Sequence, residues 1–292
     1  MENKDVCKKF LAYDNSVRIV ICDITGMVKK ARDTHNLSNT ATVALGSTLA
    51  MTTVMSSMLD DKDNRLSIQI SGDGSAGNII CCGNYDLNIK GYVSNPEIEL
   101  KTVDGVYNVA EYIGEGILTV IKDIGLKEPY VGKCKIKTSK IAEDFAYYYL
   151  ISEQKPSIVS LGVNLDKDGN VLKAGGYFIE PLPDCDSSVI DILENVNKNV
   201  KSVTNLMLDL DDIHEVAKFV SADEDVKEVY SKKPSLICDC NDLRIKNAII
   251  SMGYEEAIKA LDENSGIIEV KCNFCNKVYR FNKDDIDRIF KR

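Results

Sequence analysis

The 292-residue sequence predicts an α+β protein with a small cysteine-bearing unit at its C-terminal end. Three observations carry that reading. Two β-rich stretches, residues 65–103 and 157–180, are each associated with a segment of helical spacing. An apolar helical stripe and an acidic amphipathic stretch then occupy 188–230. Four of the ten cysteines, Cys238, Cys240, Cys272 and Cys275, fall in the last 55 residues, whereas the other six are scattered. The expected division is an α+β core over 1–180, a helical linker over 181–233 and a zinc-binding unit over 234–292.

Along the core, SVRIVICDIT at 16–25 reads as a strand, with β-branched residues on both sides of Cys22. NLSNTATVALGSTLAMTTVMSSML follows, with Ser38 or Asn39 as a helix cap and Ala44, Leu45, Leu49, Met55 and Met58 at helical spacing. Its other positions are mostly Ala, Gly, Ser and Thr. Small side chains on every side imply a helix buried between layers. RLSIQIS and NIICCG are strands joined by the turn SGDGSAG, and LNIKGYV and GILTVIKDI continue the pattern. Ser139 is expected to open a helix carrying Ile141, Phe145, Tyr148 and Tyr149. SIVSLGVNLD and VLKAGGYFIE form a hairpin around the turn DGN.

Pro181 and Pro183 mark the end of the core. Ser188 with Asp191 resembles a capping arrangement, and Ile192, Val196, Val200, Val203 and Met207 form an apolar stripe. Residues 203–230 carry eight acidic residues against two lysines. Two readings stand: one or two ordinary amphipathic helices, or a segment that folds conditionally and stays soluble through its acidity.

Composition bounds the function. Apolar residues at 44% and charged residues at 28% exclude wholesale disorder. A net charge of -9 argues against a nucleic-acid partner bound by phosphate neutralisation. No apolar run reaches 18 residues, so no membrane partner is expected, and MENKDVCKKF lacks the layout of a signal peptide. A cytoplasmic address is the expectation, and ten cysteines there suggest thiols or metal ligands rather than a disulfide framework. Two histidines and no tryptophan restrict the catalytic inventory.

The weaker motifs read as structure. Gly72-Asp73-Gly74-Ser75-Ala76-Gly77 is a literal GxGxxG, but strand-like NIICCG follows where a dinucleotide site needs a helix. LGSTL lacks the second glycine of a nucleophile elbow. His35 near Ser38 has no third catalytic group and suits a buried or capping role. His214 sits among acids. Cys81 and Cys82 cannot both face one side of a strand, and the tyrosines at 147–149 suit helix packing.

Cys238-Asp239-Cys240 and Cys272-Asn273-Phe274-Cys275, separated by 31 residues, form the strongest chemical signal. Zinc takes four soft ligands, and two residues inside CNFC let the chain turn both sulfurs to one centre. Iron–sulfur is the minor alternative. LRIKNAIISMG and YEEAIKALDE read as helices between the pairs; GIIEVKC and KVYRFNKDD read as strands. Lys232, Lys233, Lys271, Lys277 and Arg280 flank the thiols and are candidates to moderate their charge. Zinc-coupled folding supplies roughly 10–16 kcal/mol in finger peptides, enough to decide whether so small a unit folds. The site is then either a permanently folded structural centre, a redox-triggered folding switch, or a disulfide-exchange centre.

Beyond these readings, the chain closely resembles the Hsp33 family of redox-regulated chaperones over nearly its full length. The resemblance rests on ARDTHNLSNTATVALGSTLA at 31–50, IQISGDGSAGNI at 69–80, GYVSNP at 91–96 and LTVIKDIGLKEPYVGK at 118–133. It continues through IAEDFAYYYLISEQKPSIVSLGV at 141–163 and AGGYFIEPLP at 174–183, and closes on CDC, CNFC and VYRF. It implies a sheet/helix/sheet core, a helical linker and a zinc-binding redox unit with one Zn²⁺ held by Cys238, Cys240, Cys272 and Cys275. It also implies disulfides Cys238–Cys240 and Cys272–Cys275 on oxidation, zinc release, linker destabilisation and ATP-independent holding of unfolding client proteins, with no enzyme activity. Oxidised members commonly form homodimers. Asn241-Asp242-Leu243-Arg244 and Lys90 depart from the family's usual residues without removing a ligand. Cys7, Cys22, Cys81, Cys82, Cys134 and Cys185 have no assigned role.

Overall fold

A strand covered on both faces reads as an almost unbroken apolar run, and one covered on a single face alternates. Both patterns occur here, and they distinguish two sheets. In the computed structural model, which describes residues 4–103, 105–200, 202–210 and 212–291, the chain divides into two compact units, Met1–Ile237 and Cys238–Arg292.

The first unit holds β1 (Val6–Ala12), β2 (Val17–Asp23), α1 (Thr25–His35), α2 (Asn39–Ser57), β3 (Arg65–Gly72), β4 (Asn78–Asn84), β5 (Asn88–Val93) and α3 (Val109–Ile113). It continues with β6 (Gly116–Asp123), β7 (Tyr130–Lys135), α4 (Ile141–Tyr148), a π-helical turn at Tyr149–Glu153, β8 (Ile158–Leu165) and β9 (Val171–Pro181). Then come α5 (Ser187–Lys198), α6 (Val203–Leu210), α7 (Ile213–Ser221), β10 (Lys227–Lys232) and β11 (Ser235–Leu236). A five-stranded sheet runs β10-β1-β2-β9-β8 and a six-stranded sheet runs β11-β5-β4-β3-β6-β7.

Helix α2 lies between the sheets, giving the sheet/helix/sheet layering. Every residue of it is buried except Asn39 and Val43. Ser38 caps it, accepting a hydrogen bond from the Ala41 N–H at 3.0 Å. Several of its buried hydroxyls donate back to carbonyls one turn earlier, Thr48 to Ala44 at 2.9 Å and Thr52 to Thr48 at 2.7 Å, so these polar side chains enter the core already paired. A Cβ on Gly46 would meet Val163 Cγ2 at 2.6 Å, so glycine is needed for the approach of β8.

The five-stranded sheet is covered on its other face by α5, α6 and α7. Phe10, Val17, Ile19, Ile21, Tyr177 and Ile179 pack there against Leu193, Val203, Met207, Val216, Ala217 and Val220. The continuous burial of β2 and the alternation of β3 match two-sided and one-sided cover.

Several elements depart from expectation. The stripe from Ile192 to Met207 is split between α5 and α6, with Asn199 closing the first, and Ile192 itself is 42% exposed. Asp186, not Ser188, caps α5, accepting from the Ser188 N–H at 2.8 Å. Ser139 has φ of +56° and does not cap α4; its hydroxyl donates to the Gly114 carbonyl. The acidic stretch ends in β10, a strand, and its Asp211 lies outside the described residues. The GxGxxG segment is a turn: Gly74 and Ala76 N–H groups donate to Ile113 and Tyr112 carbonyls, and a Cβ on Gly72 would meet the Ile113 backbone.

The second unit contains α8 (Asp242–Met252), α9 (Tyr254–Glu263), β12 (Ile268–Lys271), β13 (Val278–Phe281) and α10 (Lys283–Ile289). Lys283 and the two following aspartates, expected as strand, open α10 through a capping box between Asn282 and Asp285. The buried core is Ile249, Ala257, Leu261, Ile268, Tyr279, Phe281 and Ile286.

Candidate metal centre

The fold delivers four thiols to one point. Ile237 donates its N–H to the Ile89 carbonyl at 2.9 Å, continuing the β11–β5 pairing, and Cys238 is the next residue. Cys240 ends the pair just before Asn241, whose side chain caps α8 by accepting from Arg244 N–H at 2.9 Å. The Arg244 guanidinium then reaches Asp239 at 2.6 Å, bracing the intervening residue. Cys272 follows β12 directly, and the chain reverses at once. Cys272 N–H donates to Lys277 O at 2.9 Å, Asn276 N–H donates to Cys272 O at 2.8 Å, and Asn276 takes φ of +60°. Asparagine tolerates that left-handed conformation better than most residues.

All four Sγ atoms lie within 4.8 Å of one another. Cys238 and Cys272 are 3.6 Å apart and Cys240 and Cys275 are 3.4 Å apart. A tetrahedron with Zn–S bonds of about 2.3 Å has edges of about 3.8 Å, so this donor set fits a four-coordinate soft metal ion. Tyr279 on β13 donates its hydroxyl to Cys240 Sγ at 3.2 Å. Burial pushes the Cys240 thiol up, but the Tyr279 hydroxyl and neighbouring thiols outweigh it and hold it at about 7. Burial pushes Cys238 and Cys275 up. One sulfur in the cluster therefore ionises at the expense of its neighbours, the condition a metal exploits when it displaces the remaining protons.

Of the flanking cations, Lys232 bonds Asp86 at 2.7 Å and Arg280 bonds Glu269 at 3.0 Å. Lys277 lies 4.6 Å over the Tyr279 ring, one residue removed from the sulfur that this tyrosine contacts. The Tyr279 contact was not foreseen. Its only signal is alternation in VYRF, which turns Tyr279 and Phe281 to the same inner face.

The remaining thiols are placed differently. Cys7, Cys22 and Cys81 are fully buried. Burial pushes Cys7 up to about 12 and Cys134 up to about 11. Cys82 and Cys185 are half-buried. Cys7 and Cys22 stand directly opposite in the β1–β2 register, which spacing along the chain did not reveal. His35 is buried in the last turn of α1, and half-buried His214 packs edge-on against Phe10 at 5.5 Å. Tyr148 and Tyr149 are buried in packing contacts.

The family model for the Hsp33 protein matches residues 5–282. This chain belongs to the Hsp33 family. It is 39% identical over 284 residues to the 33 kDa chaperonin of Clostridium perfringens strain SM101, covering 96% of this chain and 90% of that protein. The 33 kDa chaperonin of Acetivibrio thermocellus is 35% identical over 289 residues, covering 99% and 97%. The crystal structure of the 33 kDa chaperonin from Thermotoga maritima superposes with a TM-score of 0.90 at 30% identity, covering 98% of both chains. The chain is thus a chaperone of the Hsp33 type, and the thiol cluster sits inside an Hsp33 fold. No helix among the described residues is long and apolar enough to cross a membrane.

Proposed function

We propose that the chain is a cytoplasmic, ATP-independent holdase, inactive with zinc on Cys238, Cys240, Cys272 and Cys275 and activated by oxidation of those thiols. The observation that carries this reading is the convergence of four sulfurs in a unit whose buried core is only seven side chains. Zinc, when bound, supplies a redox-inert soft-ligand anchor worth roughly 10–16 kcal/mol in small finger peptides. Removing the thiolates removes that anchor from a core too small to replace it.

Each pair of thiols gives up two electrons and two protons to a peroxide, which leaves as two waters, and one S–S bond forms. The pairs expected from family resemblance are Cys238–Cys240 and Cys272–Cys275, although the short separations cross between pairs. Peptide mapping of the oxidised protein distinguishes the two connectivities.

The functional division proposed is a core over 1–180, a linker over 181–233 and a redox unit over 234–292. Two of the linker helices, α6 with 8 residues and α7 with 9, are shorter than the roughly 12–15 residues an isolated helix needs. Their order therefore rests on docking through Val203, Met207, Val216 and Val220, and release would bare the sheet face beneath. The holding form is proposed to dimerise.

The test follows light scattering from heat-unfolded malate dehydrogenase, using one zinc-loaded sample before and after peroxide, with zinc release read in parallel. Zinc release together with protection, both reversed by thiol reduction, is the expected result. Zinc loss without protection would make the centre purely structural. Equal protection throughout would remove the redox gate.

A further inference from the structure

Residues 227–237 close one edge of each sheet in succession. β10 pairs with β1 antiparallel, through Cys7↔Lys232, Lys8↔Ser231, Lys9↔Tyr230, Phe10↔Glu228 and Leu11↔Lys227. After Pro234 the chain pairs with β5 parallel, through Ser235↔Asn88 and Leu236↔Ile89, and Cys238 follows two residues later. Lys30 holds the end of this strap through the Leu236 carbonyl at 2.9 Å.

Four properties make the β1 edge more than an ordinary boundary. First, Lys227, Glu228, Val229 and Ser231 of β10 are exposed, so the strand contributes mainly backbone hydrogen bonds to β1. Second, its register shifts between Lys9 and Phe10, whereas β1 pairs with β2 without interruption from Val6↔Asp23 to Ala12↔Val17. The template would outlast the loss of its cover. Third, the edge borders the apolar face of Phe10, Ile19, Tyr177 and Ile179, which carries α5–α7. Fourth, Lys8 and Lys9 lie side by side on β1, and two copies pairing edge to edge would bring lysines together; edge lysines are a known deterrent to self-pairing.

We propose that, once residues 227–237 detach, the edge of β1 receives an extended segment of the unfolding client as an added antiparallel strand. This rests on the proposed redox-gated holdase reading and names how that holdase grips. Main-chain N–H and C=O groups are common to nearly every unfolded segment, so strand addition binds without sequence preference. Alternate client side chains fall on the vacated apolar face, which favours segments exposing hydrophobic residues. Lys8, which bonds Glu228 at 2.8 Å here, would be freed to meet client acids.

The test uses the full oxidised chain, first shown to hold heat-unfolded malate dehydrogenase. Failure at that step would overturn the holdase reading and this one with it. Residue-resolved hydrogen exchange then follows the β1 amides that face β10. Exchange should accelerate about tenfold or more on oxidation and slow by a similar factor in the client complex. Amides that stay protected in the oxidised, client-free protein, whether under β10 or a second copy, would overturn the proposal while leaving the holdase intact. So would amides that stay fast in the complex.

A synthetic peptide of residues 225–237 and a version N-methylated on alternate amides give an independent readout. The plain peptide should lower client holding at least several-fold and the methylated one should not. Equal competition by both, or by neither, would show that backbone pairing is not the grip.

Discussion

Thiols occupy both units, and the two units treat them in opposite ways. In Met1–Ile237, Cys7, Cys22 and Cys81 are sealed in a core built on a helix buried from both sides, and burial pushes their pKa up and suppresses the thiolate. In Cys238–Arg292 four half-buried thiols meet beside a seven-residue core, and a tyrosine hydroxyl helps to hold one of them at about 7. A thiolate, not a thiol, reacts with oxidants and metals. The same side chain is therefore a small hydrophobe in one unit and a candidate metal ligand in the other. The difference lies in how much apolar surface surrounds it.

The most severe way to break that comparison is to remove the metal. Chelation is expected to unfold residues 238–292 entirely, since roughly 10–16 kcal/mol of coupling is withdrawn, while the proposed core over residues 1–180 keeps its NMR dispersion. Alkylation of that sample at pH 7 should modify the four clustered thiols and spare Cys7, Cys22 and Cys81. A second unit that stays folded without metal would end the contrast.

Truncation in the larger core comes next. Leu49→Ala in α2 should lower the first unit's stability by about 2–5 kcal/mol through the cavity it leaves. Zinc stoichiometry should not change. Urea titration checks the first, and zinc analysis of the native variant checks the second.

The third effect is a pH dependence belonging to the first unit alone. Burial pushes the Asp5 carboxyl up to about 6, outweighing the N–H groups of Gly26 and Met27 that it accepts. An unfolded aspartate titrates near 3.9, so the folded state holds this proton more tightly. The stabilisation is full below about pH 4 and is lost as pH rises through about 6, a change of about 1–2 kcal/mol after discounting for partial solvation. Asp5→Asn should flatten that slope in urea midpoints taken between pH 4 and 7.

The smallest effect sharpens the comparison from the other side. Asn282→Ala removes the capping box of α10 and about 1 kcal/mol of folding stability. Because metal binding and folding are coupled in the small unit, zinc affinity should weaken about fivefold. A competition titration with a chromogenic chelator reads this directly, and unaltered affinity would mean that the unit is folded before metal arrives.

Which parts of the molecule were legible from sequence follows the same division between local and distant causes. α2 was legible because its cap, Ser38, and its small-residue composition are local. α1 was not: its cap position, Ile24, makes no side-chain bond, and its first N–H groups are served by Asp5 and Asp23 from outside the helix. β10, KEVYSK, lay mostly inside the stretch read as amphipathic helix or conditionally folded segment, because its order comes from backbone pairing with β1 and not from its own burial. Ser139 misled in a related way, since the carboxylate that organises the start of α4 is Asp144, reaching back to the N–H groups of Lys137 and Thr138. In the thiol cluster, the four positions were fixed by spacing, but which sulfurs approach each other depends on how β12 and β13 return to the chain after Cys238.

The β2–β9 pairing has a further consequence in time. Asp23 pairs with Gly175 and Cys7 with Lys232, so the first hairpin waits for partners made much later. At synthesis rates of about 5–20 residues per second, that wait is on the order of ten seconds or more. Throughout it the face of β2 turned towards α5–α7 lacks the cover that those helices later provide. A newborn copy of this chaperone thus passes through a stage in which its own apolar strand is open to solvent.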